Sequence, residues 1–408
     1  LDLNGKTIAN TEDIWDKQAA LLCIENSAVT ITGNGKMLAK ENDCYTINLV
    51  SGSLTIENGE FVGNVSAVQV VKGTLTINGG TFSLLQKWEG KSTYLINCID
   101  DAFVGGEAAV AVKGGKFVDF DPNNSPEKKV DGVAPSFVAP GVGITKDADG
   151  NFVAEAGKLV QVCDENHESV AAYDNLADAI AAAKDGYTII LIGDTTEDVV
   201  IDRNITLDLG GFTLTGTGAA GKATLTIANG ATATVKNGSI IGTESYYNIE
   251  NYGTATFEGL TATAGNNGSS MIDNYGTLTI NSGSYTGGLN VVKSEEGSTL
   301  VINGGKFTRN SAPRWGITGT ILVYGDTTIN GGEFIDNSTS TNARVIVTGI
   351  VDGYTSITRI TGGTFTGKNN ILHHMGDAKY ENFAVSGGTF NKSVGCYYFA
   401  DGSVLAKN

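Results

Sequence analysis

The sequence predicts an all-β chain, a parallel β-helix whose short strands coil into a solenoid, and three observations predict it. First, apolar alternation followed by Asn-Gly-Gly-x-Phe, as in Thr299-Leu300-Val301-Ile302-Asn303-Gly304-Gly305-Lys306-Phe307, recurs along most of the chain. Copies occupy residues 54–61, 75–82, 110–117, 233–240, 278–285, 300–307, 328–334, 359–365 and 384–390, with degenerate copies at 29–37 and 255–262. Repetition at such a period marks a stacked architecture. Second, the Thr-Leu-Thr-Ile alternation inside a copy is the period-two pattern of a strand with one buried face, and each unit is too short and too glycine-rich for a helical hairpin. Third, the same turn residues return at the same place in every cycle, which an antiparallel sandwich does not require.

Each cycle reads as three strands and a loop. A first run, seen as Ile47-Asn48-Leu49 and Val68-Gln69-Val70 and around Ile272 and Val291, precedes the alternating second strand, and a third run of one to three residues contains the Phe. Asn and Gly accept positive φ at little cost, and they sit at the bend between the second and third strands. Asn58, Asn78, Asn237, Asn303 and Asn330 fall at equivalent places. With coils stacked at about 4.8 Å, their amides are expected to hydrogen-bond up the column. The large residues ending later cycles stand at 240, 262, 285, 307, 334, 365 and 390, so the period runs from 22 to 31 residues. The surplus lies in the loop after the Phe.

At 408 residues and 41% hydrophobic content the chain has room for two or three domains. Leu1-Asp2-Leu3-Asn4-Gly5-Lys6-Thr7-Ile8 matches Leu207-Asp208-Leu209-Gly210-Gly211-Phe212-Thr213-Leu214, and Phe137 to Lys146 resembles Tyr398 to Lys407. Two tandem β-helical domains are therefore expected. The first spans 1–121, followed by a junction and terminal hairpin at 122–157, where Pro122, Pro126, Pro135 and Pro140 crowd together. A strand-helix-strand cap is expected at 158–206 and the second β-helix at 207–408. The helix is placed at 176–184, with Asp174 as N-cap, Leu176, Ile180 and Ala183 on one face and Asp185-Gly186 at its end. Its expected task is to cover the apolar end of the stack. Because the chain opens inside a repeat, the first domain is expected to be N-terminally incomplete.

A formal charge of −17 with no basic run argues against a nucleic-acid partner, since neutralising phosphates takes clustered Lys and Arg. An acidic balance would favour Ca²⁺, but no dense Asp cluster specifies a site. Asp147-Ala148-Asp149-Gly150-Asn151 reads as a hairpin turn, its Gly falling too early for an EF-hand loop. The five cysteines form no CxxC pair and no metal spacing and read as mostly free thiols. No cofactor is indicated. No hydrophobic run of 18 residues marks a membrane span.

The coil pattern resembles the right-handed parallel β-helices of the pectin-lyase-like superfamily. The duplicated Leu-Asp-Leu-Asn-Gly-Lys and Gly-Gly-Thr-Phe motifs are similar to those of repeat-bearing surface or secreted proteins of gut bacteria. The resemblance implies a right-handed coil and an extracellular or cell-surface place on a bacterium. It does not imply one activity, because the superfamily holds lyases, hydrolases, adhesins and phage spikes. The Gly-His-Gly and Arg-Ile-Lys motifs of its polygalacturonase-like members are missing here. Asp100-Asp101 is the sole paired-Asp match, and adjacent residues of a strand point to opposite faces. Arg309-Asn310-Ser311-Ala312-Pro313-Arg314 resembles the Arg-rich motif of the pectate lyases only with its Pro displaced and no Asp column beside it.

On the second strands the outward positions are Thr30, Thr55, Thr76, Ala111, Thr234, Thr256, Thr279, Val301, Thr328, Arg359 and Ala384. A glycosidase needs two carboxylates about 5–9 Å apart, and a threonine column supplies none. The first strands do better. Ile249-Glu250-Asn251-Tyr252-Gly253 and Ile272-Asp273-Asn274-Tyr275-Gly276 lie in register, so Glu250 and Asp273 are expected one strand spacing apart, near Lys293, able to share a proton or a cation. They are the candidate catalytic pair. Candidate ligand contacts lie in the loop after the third strand, where Trp15, Trp88 and Trp315 align, Tyr246 and Tyr247 occupy the same place in another coil, and Arg309 and Arg314 bring charge beside Trp315. Loops along one edge of a solenoid commonly form its binding face. Two readings stay open: a non-catalytic, adhesin-like or glycan-binding module whose partner is a polysaccharide or a host or cell-surface protein, and a polysaccharide lyase or glycoside hydrolase using the carboxylate pair. A structural spacer is the third.

Overall fold

A computed structural model describes residues 1–10, 20–40, 44–87, 93–129, 134–243, 247–265, 267–311, 316–350, 356–376 and 378–403. The chain is 49% strand and 5% helix and forms a parallel β-solenoid of about 14 turns in all. It divides into two compact units, Leu1–Asp174 and Asn175–Asn408. The strands Val160–Cys163 and Ser169–Tyr173 pair antiparallel with each other.

In the first unit each coil contributes one strand to each of three sheets. The first strands are Ala20–Ile24, Tyr45–Leu49, Val68–Val70 and Ile96–Cys98, and the second are Ser27–Ile31, Gly52–Ile56, Gly73–Ile77 and Ala108–Val112. The third strands run from Thr7–Ala9 to Gly115–Phe117, where the antiparallel hairpin of Val142–Lys146 and Phe152–Ala156 closes their sheet. The turn of that hairpin is the expected one: Asp147 Oδ1 accepts from the backbone N–H of Asp149 at 3.0 Å and of Asn151 at 2.9 Å. The Lys116 ammonium, 2.6 Å away, pulls the Asp147 carboxyl down to about 2.

In the second unit the first strands form a separate parallel sheet of eight, Val199–Ile201, Leu225–Ile227, Ile249–Asn251, Ile272–Asn274, Val292–Ser294, Thr318–Val323, Ala343–Ile350 and Leu372–Gly376. Second and third strands share one sheet, and in Thr232–Ile241 and Thr254–Thr263 they run on without a break.

Sequence parity explains the core. Leu, Ile and Val at alternate strand positions face inward and are buried, while the threonine column lies in register outside, Thr234 opposite Thr256, Thr256 opposite Thr279 and Thr279 opposite Val301. The Phe of each cycle stacks on the next at the coil spacing: Tyr285, Phe307, Phe334, Phe365 and Phe390 are 4.9–5.0 Å apart in succession and nearly parallel. A shorter stack, Phe61, Phe82 and Phe117, holds the first unit.

The turn before the Phe differs from expectation in one respect. Positive φ belongs to the second glycine, as at Gly305 (+105°), and among the named asparagines only Asn237 adopts it. A Cβ on the first glycine, Gly304, would stand 2.8 Å from the Asn281 carbonyl of the coil below, so close coil approach selects Gly there. Of the five asparagines expected in a ladder, Asn303 and Asn330 bond each other, whereas Asn78 donates to Glu57 and Asn237 to Asp208. Asn303 donates to Asn281 at 2.8 Å and Asn330 to Asn303 at 2.9 Å, while Glu258 at one end and Thr361 at the other extend the column.

Two local expectations are corrected. The helix of the second unit is Leu176–Ala182, capped by Asn175, whose side chain accepts from Asp178 N at 2.8 Å; Asp174 instead pairs with Lys158. Glu197 accepts from the N–H groups of Leu176 and Ala177, a carboxylate at the positive end of the helix. Asp100 and Asp101 are not on a strand but open a short helix, Asp100–Val104. No described helix is long and apolar enough to cross a membrane. Cys44, Cys98, Cys163 and Cys396 are free thiols.

Candidate functional site

The first-strand sheet of the second unit carries the expected carboxylate pair. Ile249 and Asn251 point into the coil, so Glu250 points out, and the register sets Glu250 opposite Asp273, Asp273 opposite Lys293 and Lys293 opposite Leu322. Val347 and His373 continue this column. Inside the coil the matching positions form a buried polar ladder, Asn251 donating to Asn274 at 2.7 Å and Asn274 to Ser294 at 3.0 Å, which pins the register of these short strands.

Two residues further along each coil, where the chain turns, stands a second row: Tyr252, Tyr275, Glu295 and Tyr324. The rings of Tyr252 and Tyr275 stack at 4.9 Å and 11° and remain 39% and 43% exposed. Tyr252 lies beyond Asn251, which pairs with Asn274, and the coil before it offers Ala228 rather than a ring.

The charges in the two rows are coupled. Asp273 is fully buried although its strand position faces outward, because its neighbours close over it. Burial first, then the nearby negative charge of Glu295, pushes its carboxyl up to about 7; Lys293 and the Tyr247 hydroxyl act in the opposite direction. Lys293 pairs with Glu295 and lies 6.0 Å from the ring centroid of Tyr324. Burial works against its charge, but Glu295 and Asp273 outweigh it and hold the ammonium above its ordinary range. Glu250 accepts from the Tyr252 hydroxyl at 3.2 Å. Burial, and then the charge of Glu250, raises that phenol to about 12.

A cleft of about 330 Å³ adjoins these rows, lined by Tyr247, Ser270, Leu289, Lys293, Tyr324 and Met375 among others. Its walls are loops that follow third strands, so the sheet face and the loop edge meet in one site. Such a cleft offers phenol hydroxyls, amides and one ammonium to a polar ligand. General acid or base work is a different demand, because the group must touch the reacting atom. A carboxyl with no exposed surface does not meet it.

Of the expected loop contacts, Trp15, Trp88, Tyr246, Arg314 and Trp315 lie outside the described residues. Tyr247 lines the cleft. Arg309 is placed otherwise than expected: it ends the strand Lys306–Arg309, has no exposed surface, and pairs with Asp336 at 3.0 Å. It stands two residues after Phe307 and so shares its inward parity, and Asp336 is its register partner on the next coil. Its guanidinium also donates to the Leu289 carbonyl at 3.1 Å and to the Thr318 hydroxyl. A buried cation so enclosed holds coils together and cannot meet a ligand. Tyr252, Tyr275, Glu295 and Tyr324 were not singled out from sequence. The signal for the first two was their recurrence in Asn-Tyr-Gly directly after the carboxylate strands.

The first unit has its own cleft, about 560 Å³, on the equivalent sheet, with Tyr45, Tyr94, Asn97, Asp100 and Glu127 in its walls. Here Asp100 pairs with Glu127 rather than with Asp101. Glu127 accepts from Cys98 N at 3.0 Å, and burial, with a smaller contribution from Asp100, pushes it up to about 7. Although this cleft is the larger and has a lysine of its own, Lys128, the exposed stacked tyrosine pair belongs to the second unit, which is the stronger candidate. Among the described residues no group of three His, Cys, Asp or Glu side chains is placed to hold a metal ion. Comparison of the chain with protein-family models, with curated proteins and with solved structures finds no match.

Proposed function

We propose that this chain is a non-catalytic glycan-binding solenoid that takes an extended saccharide along the first-strand face and loop edge of its second unit. One observation carries the reading: Tyr252 and Tyr275 form an exposed, ordered pair of rings on adjacent coils, with Glu250 and the Lys293 cleft beside them. Aromatic surface joined to hydrogen-bonding groups suits a ligand with an apolar ring face and a hydroxyl rim. Placement at the cell surface, as an adhesin-like module, belongs to the same proposal. The test is a glycan array probed with the wild-type chain and with a Tyr252→Ala/Tyr275→Ala variant. Wild-type binding to a defined set of saccharides that the variant loses supports the reading. Equal binding by both, or none by the wild type, contradicts it.

A lyase or hydrolase is favoured by one different observation, the carboxyl of Asp273 poised near neutrality beside Lys293. That reading requires a bound saccharide to be shortened, and Glu250→Gln or Asp273→Asn to abolish the shortening while binding persists. Its obstacle is the burial of Asp273.

A further inference from the structure

The loop edge of the second unit ends in a groove of about 520 Å³ whose charged lining is entirely basic, in a chain of net charge −17. Arg344 opens the strand Ala343–Ile350, Lys368 follows the strand Thr364–Gly367, and Lys392 follows Thr389–Phe390. Arg344 begins the first strand of the coil that Lys368 ends, and Lys392 follows the third strand of the next coil, so the three cations converge on the groove from different places in the cycle. Thr341, Asn369, Asn370 and Ser393 complete the lining with neutral polar groups.

The groove is held in shape from coil to coil. Asn369 donates to the Ser340 carbonyl at 2.6 Å, and Asn391 both donates to the Gly367 carbonyl and accepts from its N–H at 3.1 Å. Arg344 is fixed by Nη1 hydrogen bonds to the carbonyls of Thr341 and Ala343 at 2.6 and 2.8 Å. Among the described residues no carboxylate lines the groove and neither lysine is in an ion pair. Asp336, the acid that feels Arg344, is buried against Arg309.

We infer that this groove binds the anionic substituents, sulfate or carboxylate, of an acidic glycan. The inference rests on the glycan-binding reading above and adds to it a ligand class and a second contact region. Three cations in one groove, Arg344 among them held in place, match the anionic groups of a polyanion, and the surrounding amides and hydroxyls match its hydroxyl groups. Three cations are few for nucleic acid, whose binding needs many phosphate contacts.

The test is affinity electrophoresis of the full chain through gels containing dextran, dextran sulfate or carboxymethyl dextran at low salt, beside a Lys368→Gln/Lys392→Gln variant. Both lysines are exposed, so the variant should keep its melting temperature. The expected result is retardation of the wild type by a charged dextran, weakened roughly tenfold in the variant and by added salt. The arm that retards more strongly identifies the substituent. Equal retardation of wild type and variant, no retardation by either charged dextran, or equal binding to a DNA oligonucleotide overturns the inference. If the array shows Tyr252-dependent binding of neutral saccharides while the charged dextrans do nothing, the glycan-binding reading stands and this one falls.

Discussion

Asp273 shows how neighbours override a residue's strand position. Parity directs it to solvent, yet it is fully buried and its carboxyl is raised from 3.8 to about 7. Between those values the folded chain keeps a proton that the unfolded chain has released. The stabilisation is therefore complete below about pH 4 and is lost as pH rises through about 7. A shift of this size corresponds to a contribution on the order of 4 kcal/mol. Asp273→Asn, which keeps the shape without the charge, should melt higher than wild type at pH 8 and near wild type at pH 4. A variant less stable than wild type at pH 8 would show that the buried charge holds the cluster together. Arg309 shows the opposite lesson about parity. Its place two residues after Phe307 was enough to put it inside, and its identity as an arginine in a loop-flanking run obscured that.

At the scale of the strand, the repeat made nearly everything legible that depends on alternation. The first, second and third runs, the threonine column, the Asn ladder and the register of Glu250 with Asp273 all follow from placing Asn-Gly-Gly-x-Phe copies one above another. What depends on side chains from different coils was not legible. The cover over Asp273 and the meeting of Asp100 with Glu127 each join residues whose spacing in sequence varies with loop length. The helix cap moved by one residue because Asn175 and Asp174 are both able caps, and Lys158 takes the second. The Phe stack supplies the clearest contrast between inner and outer positions. Phe307→Ala should cost about 3–5 kcal/mol, leaving a cavity between Tyr285 and Phe334, whereas the outward Thr279→Ala should change stability by under about 0.5 kcal/mol. Chemical denaturation of the two variants distinguishes them, and similar losses in both would mean the stack is not the core.

For the molecule as a whole, a uniform inner scaffold leaves function to the outer face and the loops. In the second unit these carry three features in coil order: the Glu250 and Asp273 carboxyls with the Tyr252–Tyr275 pair, the Lys293 cleft, and the Arg344–Lys368–Lys392 groove. The threonine column on the second strands offers no comparable cluster of charge and aromatic surface. The most direct test of this division is hydrogen–deuterium exchange on the full chain, with and without the saccharide that binds most tightly on the array. Protection should concentrate at 247–252, 270–275, 289–295 and 318–324, with the second strands unchanged. Protection confined to the threonine column, or no protection with any saccharide, would contradict a glycan-binding face at this edge of the solenoid.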